Sequence, residues 1–183
     1  FAAPRVIPAA KLIAAAREQV GVTTSYDSAY RRIPYPNGDV PANTGVCTDV
    51  LVRAYRKHGI DLQLLVHQDM RRAFREYPRK WGLRAPDTNI DHRRVPNLQV
   101  FFRRHGRSLG VTRNAQDYQP GDIVTWRLSN APSGGVPHIG IVSDRRTGTL
   151  PLILHNIGSG TQEEDMLFAY PVTGRFRYAV GSA

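Results

Sequence analysis

The sequence predicts an α+β fold in which helices come first and an antiparallel sheet follows and packs on them. Two observations carry this. Apolar residues recur at helical spacing through roughly the first 105 positions. Beyond residue 117 they give way to short β-prone runs punctuated by Gly, Pro, Asp and Ser. With 183 residues, 41% hydrophobic and 22% charged, the chain is long enough to bury one core. No break in composition divides it, so one domain over 1–183 is expected. Its parts are an N-terminal helical segment (1–21), a helical part (22–110) and a sheet part (117–180).

The elements follow in order. Residues 8–20 read as a helix, with Leu12, Ile13, Ala16 and Val20 on one side and Gly21 as its stop. Residues 22–45 hold turn formers and aromatics, among them Tyr26, Tyr30, Tyr35, Pro36 and Gly38, and read as a structured loop. A second helix is predicted from Cys47 to His58. Asn43 and Thr44 are its candidate caps, Val50, Leu51, Ala54 and Tyr55 its inward stripe, and Gly59 its end. A third helix covers 62–76 and a shorter one 96–105, with the irregular stretch 78–95 between them. The predicted strands are Ile123–Trp126, Ile139–Val142, Leu152–Leu154 and Phe176–Tyr178, with a hairpin turn at Thr147–Gly148–Thr149.

Bulk properties narrow the function classes. No apolar run reaches eighteen residues, so no membrane span is expected. The net charge of +10 favours a polyanionic partner, whether nucleic acid, an anionic lipid surface or an anionic cell wall. The arginines are spread along the chain without a zinc-finger, helix-turn-helix or P-loop pattern, so nucleic-acid binding is not expected as the main role. The single cysteine excludes an internal disulfide and any metal site built on two or more thiolates. The opening FAAPRVIPAAK reads as a mature or truncated terminus, compatible with export.

Chemistry concentrates at three places. Cys47 in GVCTDV (45–50) stands where a Gly-containing loop enters a helix. A lone cysteine is usually a small buried hydrophobe. A helix N-terminus, however, presents unpaired N–H groups that favour thiolate and can stabilise an oxyanion. His138 in VPHIGIVSD (136–144) begins a β-run after a flexible Ser-Gly-Gly. Imidazole titrates in the range needed to deprotonate a thiol and protonate a leaving amine. His155 and Asn156 end the run LILHN (152–156), and either can orient His138 from an adjacent strand. Asp49, on the opening turn after Cys47, is a helix-capping residue or a ligand for a substrate amine. Asp122 in PGD reads as a turn residue.

These segments carry a resemblance. DYQPGDIVTW (117–126), then PHIGIVSD, then LILHN resembles bacterial NlpC-type cysteine peptidases of the papain-like class, and GVCT is similar to the segment around the nucleophile of a related amidase group. GDVPANTGVCTDV, IDLQLLVHQDM and PHIGIVSD together look like an exported bacterial domain family of unknown function, over residues 22–180. The resemblance implies a papain-like fold with the nucleophile helix on an antiparallel sheet, preceded by extra N-terminal helices. It implies amide hydrolysis in peptidoglycan, a Cys47/His138/His155 triad and no cofactor. It also implies a monomer, periplasmic or secreted, whose partner is peptidoglycan or another anionic wall polymer. Tyr35, twelve residues before Cys47, stands near the position of the loop tyrosine of NlpC-type peptidases, with Tyr26 as the alternative. The chain departs from the pattern at Val46, Thr48 and Asp49 and in the Arg-rich insertion 61–107.

Two other readings compete. Cys47 with two histidines can be drawn as a zinc site, but no ligand spacing supports it, and no metal is expected. A binding module on the same fold, without turnover, is the second. The polar segment Asp87–Arg94 reads either as a solvated loop pinned by salt bridges or as a wall-binding loop.

Overall fold

The computed structural model describes residues 5–181. Residues 1–4 of the expected N-terminal segment and the last two residues lie outside that range. The fold is α+β. In chain order the elements are β1 (Ile7–Pro8), α1 (Ala9–Arg17), β2 (Ser25–Tyr26), β3 (Thr44–Gly45), α2 (Cys47–Arg56), α3 (Leu62–Ala73) and α4 (Val95–His105). The strands β4 (Arg107–Leu109), β5 (Ile123–Leu128), β6 (Val136–Thr147), β7 (Leu150–Asn156), β8 (Thr161–Glu164), β9 (Val172–Arg177) and β10 (Val180–Gly181) follow.

Six of these strands form an antiparallel sheet of order β4-β9-β5-β6-β7-β8. Side chains alternate across it with the period of two that a pleated strand imposes. Ile123 of β5, Ile139 and Ile141 of β6, Leu154 of β7 and Phe176 of β9 join the core shared with the helices. Val124 and Trp126, Val142 and Ile153 face the other way. There Tyr118, Met166 and Leu167 cover them in a second, smaller cluster. Both faces are therefore buried, and the strands read as continuous apolar runs. Fully burying a Leu, Ile or Phe side chain is worth roughly 1.5–3 kcal/mol, so the central strands anchor the fold.

Helix α2 lies on the sheet through the stripe read from its sequence: Val50, Leu51, Ala54 and Tyr55 are all buried. The Tyr55 hydroxyl, carried into the core, donates to the Tyr178 carbonyl at 2.8 Å. Burying an unpaired hydroxyl is costly, so this bond fixes the depth of the helix. Helix α1 is shorter than expected. Leu12, Ile13 and Ala16 are buried, but the helix ends at Arg17 and Val20 is exposed. Arg17 reaches the sheet, pairing with Glu163 at 2.7 Å and also with Asp144.

Gly140 lies on β6 against β7. A Cβ there would lie 2.7 Å from Ile153 Cγ2, 3.0 Å from the Leu154 carbonyl and 3.1 Å from His155 Cβ. Its absent side chain lets the strand of His138 approach the strand of His155. The β6–β7 hairpin closes with Thr147 opposite Leu150, and Gly148 takes φ +58° at the turn.

Candidate functional site

Helix α2 begins at Cys47, and its N-cap is Val46, in extended backbone. The expected caps Asn43 and Thr44 play no such part. Val46 has no side-chain acceptor, so capping comes from the other direction: Asp49 accepts the Val46 N–H at 2.7 Å. Asp49 is itself buried and gripped by Arg93, at 3.0 Å from Nε and 2.9 Å from Nη2. Gly45 allows this turn, since a Cβ there would lie 3.0 Å from Asp49 Oδ2. Arg93 is 6% exposed, and its two contacts to Asp49 make it a support of the Cys47 helix.

Cys47 is 4% exposed. The backbone N–H groups of Thr48 and Ile139 and the Tyr26 hydroxyl point favourable dipoles at its sulfur. Burial outweighs them and, together with the Asp49 charge, pushes the thiol up to about 12. The thiolate expected from the helix terminus alone is therefore not the resting state. Ile139 is the neighbour of His138, so the sulfur meets β6 next to the imidazole-bearing residue.

Of the two tyrosines, Tyr26 is the one at Cys47. The parallel pairing of β2 with β3 sets Tyr26 opposite Gly45, two residues before the thiol. Tyr35 lies elsewhere, with its ring 5.0 Å from that of His67.

His138 and His155 are both buried, and His138 Nε2 lies 2.8 Å from His155 Nδ1. His155 Nε2 in turn lies 2.8 Å from Glu164 Oε1. The proton positions follow from bookkeeping. An ionised carboxylate only accepts, so His155 carries its proton on Nε2. Its Nδ1 then holds a lone pair and accepts from His138 Nε2–H. His138 Nδ1 is left free to take a proton. Burial, assisted by the neighbouring ring, pushes His138 down to about 3, and burial also lowers His155. Both rings are neutral near pH 7.

Asn156 turns its hydrogen bonds away from His138, whose partner is His155. Its Nδ2 donates to the Ser25 carbonyl at 3.2 Å and the Gly45 carbonyl at 3.4 Å, while its Oδ1 accepts from Gly158 N–H. It clamps the segments carrying Tyr26 and Cys47 to the end of β7. Glu164 was not foreseen in the sequence. It sits on β8, whose TQEE shows no alternation of apolar residues. Asp122 is fully buried and accepts the Gln119 N–H at 3.0 Å and Arg177 Nε at 2.7 Å, as a turn residue does. Among the described residues, no three His, Cys, Asp or Glu side chains gather to hold a metal ion. No helix among them is long and apolar enough to cross a membrane.

The chain is similar to solved structures of NlpC2 and NlpC1 from Trichomonas vaginalis. The TM-scores are 0.47 and 0.48 and the sequence identities 17% and 18%, over 94% and 95% of this chain. It spans about half the length of those two chains, 48% and 46%. It is 55% identical over 167 residues to "Uncharacterized protein YijF" of Escherichia coli (strain K12), covering 90% of this chain and 79% of that protein. The family described as "Domain of unknown function (DUF1287)" matches residues 13–178, and the chain belongs to it.

Proposed function

We propose that this protein is a cysteine hydrolase that cleaves an amide bond in the peptide part of the bacterial cell wall. The observation that carries the reading is the chain of two buried rings, His138 and His155, ended by the half-exposed Glu164, which leaves an unprotonated imidazole nitrogen on the strand that meets Cys47. Two neutral histidines in series, ended by a carboxylate, are costly to bury for stability alone.

The chemistry runs through a thioester. His138 takes the Cys47 proton as sulfur attacks the carbonyl carbon, forming an S–C bond and a tetrahedral oxyanion. The Cys47 and Thr48 N–H groups that open α2 stabilise that oxyanion, the Asp49 N–H being taken by the Val46 carbonyl, and Tyr26 assists at the sulfur. The C–N bond breaks as His138 returns the proton to the amine. Water, deprotonated by His138, then releases the acid and the thiol. His155 orients His138, and Asn156 holds the loop. The positive surface favours an anionic wall, by attraction that salt weakens, and the site of action is periplasmic or secreted.

Purified peptidoglycan digested by wild type and by Cys47→Ala, with fragments weighed by mass spectrometry, tests this. New muropeptides from wild type alone are expected and identify the bond. No release by wild type under reducing conditions, or equal release by Cys47→Ala, refutes the reading.

A further inference from the structure

Cys47 lines a cleft of about 500 Å³ whose charged lining side chains are Lys80, Arg93 and Arg94. No carboxylate lines it, although Asp27, between the lining residues Tyr26 and Ser28, acts on Arg93 through its charge and Asp87 acts on Arg94. Asp49 and Asp91 are each 2% exposed and turn toward Arg93 and Arg94 from the protein side. Arg93 keeps Nη1 unbonded after both contacts to Asp49 are made. Arg94 is held over the Trp81 ring, 4.2 Å from its centroid, and meets Asp91 only at 3.5 Å. Lys80 is exposed and has no ion-pair partner among the described residues. Apart from the Tyr26 and Ser28 hydroxyls and the Cys47 thiol, the remainder of the wall is largely apolar, with Val46, Ile90, Val95 and Val136 among its residues.

We infer that this wall is a carboxylate-binding subsite, and that the substrate is a peptide with a free carboxylate beside its scissile amide. A guanidinium already held flat by an aromatic ring loses little freedom when it forms a fork to a carboxylate. Lys80 supplies the uncompensated charge, and the apolar wall takes the aliphatic stem of the acidic residue. Phosphate shares the charge but not the planar fork or the stem. The inference rests on the hydrolase reading for its position beside Cys47, but binding can be measured without turnover.

The test uses the full chain as Cys47→Ala, titrated by NMR. The probes are a wall-derived tripeptide with its glutamyl carboxylate free, the same tripeptide with that carboxylate amidated, and inorganic phosphate. The free acid is expected to bind at least about tenfold more tightly than the amide, the scale of a charge-assisted hydrogen bond lost. Lys80→Ala and Arg94→Gln are expected to remove most of that preference. Lys80→Ala alters an exposed side chain, so it reports even where Arg94→Gln unsettles the fold. Equal affinity for acid and amide, absence of binding by both, or phosphate binding as tightly as the acid overturns the subsite. A preference for the acid in a protein whose wild type releases nothing from peptidoglycan keeps the subsite and removes the hydrolase reading.

Discussion

Arg93→Ala is the perturbation whose size the structure best defines. The guanidinium makes two contacts to Asp49, at 3.0 and 2.9 Å, and the residues are 6% and 2% exposed. Truncation leaves a buried carboxylate with one remaining donor, the Val46 N–H at 2.7 Å. Removing one partner of a buried pair costs about 3–5 kcal/mol, because the other charge stays desolvated. Arg93 borders the cleft, so water can reach part of the vacated space, and the lower figure, about 3 kcal/mol, applies. Unfolding entropy of roughly 2.1 cal/mol/K per residue makes that a fall in Tm of about 8 °C for a chain of this length. Differential scanning calorimetry at pH 7 and physiological salt measures it. Replacing both partners by apolar residues of similar volume, Arg93→Met with Asp49→Leu, is expected to recover much of the loss. The exposed Arg31–Asp27 pair is the comparison, and Arg31→Ala should leave Tm unchanged. If Arg93→Ala shifts Tm no more than Arg31→Ala does, the buried pair does not hold the Cys47 helix.

Two further perturbations separate positioning from stability. Glu164→Gln keeps an oxygen acceptor for His155 Nε2–H, whereas Glu164→Ala removes it. Ring nitrogen-15 shifts should show the His155 tautomer held in the first and mixed in the second, with turnover reduced about tenfold only in the alanine variant; unchanged shifts in Glu164→Ala would remove Glu164 from the proton chain. The second perturbation is pH. His92 and His138 are both pushed down to about 3 by burial, so the unfolded chain binds protons below about pH 6.5 that the folded chain refuses. Their stabilisation is present above about 6.5 and is lost as pH falls toward 3, by roughly 3 kcal/mol each at pH 4. Asp91, raised to about 6 by burial, works the other way and returns roughly 2 kcal/mol between pH 7 and 4. A net fall in Tm from pH 7 to 4 is expected, smaller in His138→Gln; a flat profile contradicts it.

Much of this architecture was legible in the sequence because local period and global burial agree. The stripe of α2 and the apolar runs of β5, β6 and β7 each state their own buried face. The order of Cys47, His138 and His155 along helix and strands was legible for the same reason. What the sequence could not show depends on partners distant along the chain. His155 and Asn156 are adjacent, and only the pairing of β6 with β7 separates the ring that meets His138 from the amide that clamps Gly45. Tyr35 has the better spacing to Cys47, yet the β2–β3 pairing brings Tyr26 there. Glu164 was hidden because β8 is a four-residue edge strand whose polar run carries no periodic signal. Arg93 was one arginine among many in an Arg-rich segment, and only a buried Asp49 distinguishes it.

The resting protonation of the site follows from the same burial that hides it. A helix N-terminus lowers a thiol pKa when the sulfur stays near water and a cation is close. Here the sulfur is enclosed, and the charge on Asp49, two residues along the same turn, opposes ionisation. Arg93 offsets that charge, so the pair that fixes the helix also limits how strongly Asp49 acts on Cys47. His138, desolvated and next to a second imidazole, is equally unready to carry a proton at rest. Both groups are therefore neutral at rest, and in the proposed reaction charge develops on them together as the proton moves. Glu164 stands at the far end of the relay, 2.8 Å from His155, with its side chain 48% exposed. A half-solvated carboxylate there stabilises positive charge arriving on the ring chain without burying a third ionisable group. In the proposed hydrolase, the rate is therefore expected to depend on how well the His138–His155–Glu164 relay is oriented more than on the resting acidity of the thiol.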